Sequence, residues 1–190
     1  MKIGVDCDGT ICETSTKLWF AYLYQRYKPI EEKILDVIAS DMYPYNVSEL
    51  FHIPEGCDPF AFWKDPNLYE GLTPIDDAVE YLQKLHSEGH EIIFVSQAKG
   101  WHQRSKYYFI DKWFPFKAGV ILTKEKHLVN LDVIVDDSIH VLNSMPDSVV
   151  TIKFRDDTIQ DEAMQLRHVL ANDWQDVYTL CNNVKEKYKC

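Results

Sequence analysis

The sequence predicts an α/β fold: a Rossmann-like parallel sheet with helices on both faces, plus a helical cap inserted after the first strand. Three observations carry this. Short apolar runs alternate with helical patterns from about residue 71 onward, as buried parallel strands require. Several of these runs end in, or just before, an Asp or Ser. Between the first run and the rest lies a long aromatic stretch with no such alternation. The expected division is an α/β core from residues 1–13 and 71–190, with a cap from 14–70.

Lys2 to Asp6 predicts a short buried strand ending in the turn Asp8-Gly9-Thr10. In the cap, Pro29, Pro44, Pro54, Pro59 and Pro66 cut the chain into short helices and loops. Thr73-Pro74 resembles a helix entry, and the spacing Ala78, Leu82, Leu85 marks a helix stopped by Gly89. Glu91 to Val95 predicts a strand, and Trp101 to Trp113 a helix. Further strands are expected at Ala118–Leu122, Val133–Val135 and Ser148–Lys153. From about Gln160 to the end the pattern predicts helix, broken near Asn172-Asp173.

Composition narrows the class. Hydrophobic residues at 46 % can build a core without disulfides, and the five scattered cysteines contain no C-x-x-C pair. Reduced thiols are therefore expected. A net charge of −10 argues against binding a nucleic-acid polymer, although a local cation and a few lysines can still hold a small anion. No apolar run is long enough to span a bilayer, so no membrane association is expected. The N-terminus reaches Asp6 and Asp8 too soon for a secretory signal, which suggests a cytoplasmic protein. The sequence fixes no oligomeric state, and a homodimer is compatible with it.

Asp6 and Asp8, Ser96, Lys126, and Asp136 with Asp137 would meet at one rim, because ligands of open parallel sheets bind at the carboxyl ends of strands. Those residue types suit phosphate-monoester hydrolysis. Asp6 can attack phosphorus to form an aspartyl-phosphate. Asp8 can protonate the leaving oxygen and later take a proton from water, given a neighbouring phosphate to raise its pKa. Asp6, Asp136 and Asp137 offer oxygen ligands to Mg²⁺, which would keep Asp6 a carboxylate. Ser96 can hydrogen-bond a phosphoryl oxygen, and Lys126 can neutralise charge there, with Lys124 as its rival. Gly9 and Thr10 would close the turn over the phosphate, with backbone N–H groups of an incipient helix pointing inward. Any one of these residues alone is an ordinary turn, cap or solvated lysine; their order makes the case.

Those residues carry a resemblance. IGVDCDGTI, FVSQ, the lysine of TKEKH and VIVDD resemble the four ordered motifs of the haloacid dehalogenase-like phosphohydrolases, from Lys2 to about Phe154. FAFWKDPNLYEGLTPIDDAVEYLQKL, SKYYFIDKWFP and LTKEKHLVNLDVIVDD are similar, more narrowly, to 5′(3′)-deoxyribonucleotidases. The resemblance implies a magnesium-dependent phosphatase acting on nucleoside monophosphates, with Asp6 as nucleophile and Asp8 as acid–base. It implies Mg²⁺ held by Asp6, the Asp8 carbonyl and Asp136, and a cap that holds the nucleoside. Phe60 and Trp63 are the cap aromatics that could stack on a base, against the commoner role of core packing. Ser96-Gln97-Ala98 departs from the family's Thr-Ser-Pro run, which leaves the contact of Gln97 open. Lys106 could approach the phosphate, against the commoner role of a surface helix lysine. Two alternatives stay open: a phosphatase of a sugar phosphate or phosphoamino acid, and a non-catalytic nucleotide-binding protein on the same fold.

Overall fold

The computed structural model describes residues 1–14, 16–156 and 158–187. The end of the expected terminal helix, with Cys190, lies outside the described residues. The core sheet has strands β1 (Lys2–Val5), β2 (Glu91–Ser96), β3 (Gly119–Leu122), β4 (Val133–Asp136), β5 (Val150–Phe154) and β6 (Val169–Ala171). They lie in the order β6-β5-β4-β1-β2-β3, and every pairing is parallel. Chain reversal around β1 puts the residues after β1, β2 and β4 side by side, since Val5 is in register with both Phe94 and Val135.

Alternation along the strands sorts the two faces. Ile3, Val5, Ile92, Phe94, Val133 and Val135 point into the larger core. Helices α3 (Ala78–Ser87), α4 (Gln103–Trp113) and α6 (Trp174–Lys187) supply Leu82, Leu85, Phe109, Ile110 and Trp174 to it. On the opposite face, Ile134 and Val95 meet Leu131 and the short helix α5 (Ile139–Ser144) through Leu142. A Cβ on Gly4 would stand 2.4 Å from Leu131, so the central strand carries no side chain where that loop crosses it.

The insertion has its own apolar cluster. Helices α1 (Thr16–Tyr24) and α2 (Glu31–Ser40) bury Trp19, Leu23, Ile34 and Val37 against Tyr43, Val47, Leu50 and Phe51. Short 3₁₀ turns follow at Val47–Leu50 and Ala61–Lys64, as the proline-cut sequence predicts. The core reaches back to the cap where Tyr43–Pro44 pairs in parallel with Thr158–Ile159.

Two sequence expectations are corrected. Residues 160–172 are not helical. Met164 is half-exposed and Leu166 fully exposed, so a helix there would have had no buried stripe. Instead Arg167 donates to the carbonyls of Leu142, Asn143 and Met145, His168 bridges Thr151 and Asn143, and Val169–Ala171 extends the sheet. The helix expected to enter at Thr73-Pro74 starts only at Ala78. Pro74 forms an antiparallel bridge with Cys12, and Ile75 donates to the Ile11 carbonyl, which holds this segment extended against the first loop.

Candidate active site

The loop after β1 is folded on itself. The Asp6 N–H donates to the Val135 carbonyl at 3.0 Å, which continues the sheet to the first aspartate. The Cys7 carbonyl then accepts from the N–H groups of Thr10, Ile11 and Cys12, and Gly9 donates to the Cys12 carbonyl. The N–H groups of this turn, expected to point at a phosphate, are engaged inside the loop at Gly9, Thr10 and Ile11. Thr10 is corrected further: it is fully buried, and its carbonyl accepts from the Trp174 indole at 3.2 Å, so it braces the loop from behind. Gly9 is required on two counts. Its φ is +67°, and a Cβ there would come within 2.5 Å of Asp137 Oδ2.

Beside that loop, Lys126 is inserted between two carboxylates, at 2.6 Å from Asp6 Oδ1 and 2.7 Å from Asp136 Oδ2. The side chain of Lys126 is 5 % exposed against 73 % for Lys124, so it is Lys126 that meets the aspartates. Burial disfavours its charge, yet Asp136 and Asp6 together hold the ammonium above its ordinary range. Oxygens of Asp6, Asp136 and Asp137 lie within 4.8 Å of one another. One ammonium does not balance three carboxylates. Burial, against the pull of Lys126, pushes Asp136 up to about 6, and Asp6 adds to the rise. Burial and then the charge of Asp136 raise Asp137 further above the carboxylate range.

Asp8 faces a different set. Lys106 reaches it from α4, donating at 2.5 Å to Oδ2, 2.6 Å to the Gln97 carbonyl and 2.9 Å to the Ser96 hydroxyl. The surface reading of Lys106 is therefore wrong: its side chain is fully buried. A lysine on the inner face of α4 can reach the end of β2 only because that helix packs across the strand, which spacing alone does not reveal. Ser96 is also fully buried, beneath this ammonium. On the other oxygen, Asp8 Oδ1 accepts from Thr14 at 2.5 Å and Tyr69 at 2.6 Å. Burial opposes the charge of Asp8, but Lys106 and these hydroxyls hold its carboxyl below the ordinary range. Before substrate arrives, Asp8 is a carboxylate.

These groups line one cavity of about 720 Å³ between sheet edge and cap. Asp6, Asp8, Gly9, Lys126, Asp136 and Asp137 form its floor, while Trp19, Tyr45, Phe60 and Trp63 come from the cap. Phe60 and Trp63 both pack on Trp19, at 5.2 and 6.1 Å between ring centroids. Gln97 lines the wall as well. The Trp63 carbonyl ties cap to core by accepting from the Trp101 indole at 3.0 Å and bonding His102 Nδ1 at 2.9 Å. Tyr69, Thr14, His102 and Asp156, a further carboxylate on the cavity wall, were not marked by the sequence. None sits in a spaced motif; their approach is made by the fold.

The same fold occurs in a haloacid dehalogenase-superfamily hydrolase from Ehrlichia chaffeensis, at a TM-score of 0.60 and 14 % identity over 96 % of each chain. With aspartates at the ends of β1 and β4 and a lysine between them, the chain shares the fold class of that hydrolase. Within that class it belongs to the family described as 5′ nucleotidase, deoxy (pyrimidine), cytosolic type C, which it matches over residues 1–188. It is 30 % identical over 119 residues to a Bacillus cereus protein provisionally named a nucleotidase, a match covering 60 % of each chain. To the human mitochondrial 5′(3′)-deoxyribonucleotidase it is 23 % identical over 126 residues, covering 60 % of this chain and 55 % of that one. The chain thus spans less than two thirds of the length of these curated relatives. Among the described residues no helix is long and apolar enough to cross a membrane.

Proposed function

We propose that this protein is a Mg²⁺-dependent phosphatase of nucleoside monophosphates, deoxyribonucleoside 5′-monophosphates foremost, working through an aspartyl-phosphate on Asp6. Membership of the 5′ nucleotidase family supports the substrate class. The observation that carries the mechanism is the trio Asp6, Asp136 and Asp137 with Lys126, at the floor of a cavity whose other wall is aromatic.

The donor set fits a hard divalent cation. Three carboxylate oxygens lie within 4.8 Å of one another, and opposite ligands of an octahedral Mg²⁺ stand about 4.2 Å apart. Burial first, and then neighbouring carboxylates, raise Asp136 and Asp137, and such an ion would offset both effects. Asp6, Asp136 and Asp137 would hold it, with the Asp8 carbonyl as the family resemblance implies. When bound, Mg²⁺ supplies charge neutralisation for the phosphoryl oxygens.

The chain's own residues do the rest. Lys126 occupies Asp6 Oδ1, leaving Oδ2 to attack phosphorus. As the bond to the leaving oxygen breaks, Asp8 gives that oxygen a proton, releasing the nucleoside. Asp8 then takes a proton from water, which attacks phosphorus, frees inorganic phosphate and restores Asp6. Asp8 must be protonated for the first step, and here it is an ionised partner of Lys106. A dianionic phosphate entering beside it raises its pKa and competes for the Lys106 ammonium, so substrate itself arms the acid. Phe60 and Trp63 offer stacking surfaces to the base, and the cap of residues 14–70 encloses the nucleoside. A cytosolic setting belongs to the same proposal. It is supported by Cys7, Cys12, Cys57 and Cys181, all free thiols.

Phosphate release from a panel of 5′- and 3′-nucleotides and sugar phosphates, with Mg²⁺ and with EDTA, tests this reading. Release from nucleotides that is lost in EDTA is expected. Equal release from sugar phosphates would remove the nucleoside from the proposal, and binding without release would replace the enzyme by a nucleotide-binding protein.

A further inference from the structure

Tyr69 stands where the cap returns to the core, and its ring is wedged among core side chains. Ring centroids lie 5.8 Å from His102 and 6.3 Å from Phe109, and the Lys106 ammonium sits 5.1 Å from the ring centre. Its hydroxyl reaches across 61 residues of sequence to Asp8 Oδ1 at 2.6 Å. Thr14 Oγ1 donates to the same oxygen at 2.5 Å, and so must accept its contact with Cys12 Sγ, at 2.8 Å, from the thiol. A carboxylate oxygen has two lone pairs, so Oδ1 has both engaged. Among the described residues Oδ2 receives Lys106 alone and keeps an acceptor position open.

We propose that Tyr69 is a positioning residue for the reaction. With Thr14 it pins Oδ1 and fixes the plane of the Asp8 carboxyl, so that Oδ2 is the oxygen presented to the leaving group. This rests on the reading of Asp8 as the acid. A buried phenol needs some acceptor in any fold, so the bond alone could be structural. A dependence on the leaving group separates the two roles. A nucleoside 5′-alkoxide needs a proton to depart, whereas p-nitrophenolate does not.

The experiment compares kcat/KM for a deoxynucleoside 5′-monophosphate and for p-nitrophenyl phosphate, in the wild type, Tyr69→Phe, Thr14→Val and Asp8→Asn, with Mg²⁺. This ratio reports the steps up to phosphoryl transfer onto Asp6. Tyr69→Phe keeps the ring and its packing. General acids contribute about 10²–10⁴-fold, so misaligning one should cost on the order of tenfold on the nucleotide and several-fold less on the nitrophenyl ester. Thr14→Val should shift the two esters in the same sense. Equal losses on both esters in Tyr69→Phe, or no loss, would overturn the proposal. If Asp8→Asn discriminates between the esters and Tyr69→Phe does not, the positioning role alone falls. If Asp8→Asn does not discriminate, the acid role falls and takes the inference with it.

Discussion

Asp6 and Asp8 are two residues apart and sit in opposite fields. Asp6 shares one buried ammonium with Asp136, inside a group of carboxylates that outnumbers it. Asp8 accepts from an ammonium and two hydroxyls. Divergent environments for neighbouring carboxylates are how one site obtains a nucleophile and an acid. The residue-scale prediction follows from the first field. Asp6→Asn keeps the side-chain volume and leaves Lys126 its bond to Asp136, so the melting temperature should not fall. Turnover should drop on the order of 10⁴-fold or more, as for other essential nucleophiles. Steady-state phosphate release beside a thermal melt checks both, and near-normal turnover would exclude Asp6 as the attacking group. Asp6, Asp8, Lys126 and Asp136 were legible in the sequence because each ends an apolar run or sits in an ordered motif. Lys106 was legible as a candidate for the phosphate beside the commoner surface reading, since nothing in SKYYFIDKWFP shows which helix face is buried.

At the scale of elements, the cap and the terminal segment behave differently. The cap packs its own cluster, so Phe60 is free to stay 44 % exposed on the cavity wall, resting on Trp19. Stacking on a base is worth about 1–3 kcal/mol, so Phe60→Ala should raise KM for nucleotides roughly 5- to 150-fold. The KM for a small sugar phosphate should hardly change. Parallel titrations of the two substrates decide it, and an equal rise for both would assign Phe60 to cap packing. Residues 160–172 show the limit of pattern reasoning. Polar side chains dominate the stretch, and its conformation is set by distant acceptors, the carbonyls of Leu142, Asn143 and Met145. The late start of α3 has the same kind of cause, a bridge to Cys12 more than sixty positions away.

For the molecule as a whole, the acidic floor is a local cost to stability that a cation would relieve. In the metal-free protein Asp136 is raised from its ordinary value to about 6. A carboxyl raised on folding contributes stability below its unfolded pKa and loses it as pH rises through its folded one. That contribution is therefore gone at neutral pH, where Mg²⁺ should act most strongly. Mg²⁺ at about 100 times its dissociation constant should add about 2.7 kcal/mol, roughly 5–11 °C in melting temperature for a chain of this size. The increment should shrink as pH falls below about 6, where protons compete for Asp136. Thermal melts with Mg²⁺ and with EDTA across pH 5 to 8 would show it, and a Mg²⁺ effect that grows toward acid pH would contradict it.

By itself the sequence determined the alternating α/β core, the interruption after the first strand and the identity of the rim carboxylates. These depend on period, on short-range turn chemistry and on residue types that fall at strand ends, all written locally in the chain. Only the tertiary structure decided that Lys106 is buried on Asp8, that Tyr69 and Thr14 share one of its oxygens, and that residues 160–172 brace the sheet instead of forming a helix. Each of those is a contact between segments far apart in sequence. Burial and hydrogen-bond satisfaction across the fold outweigh the few tenths of a kcal/mol by which a local preference leans.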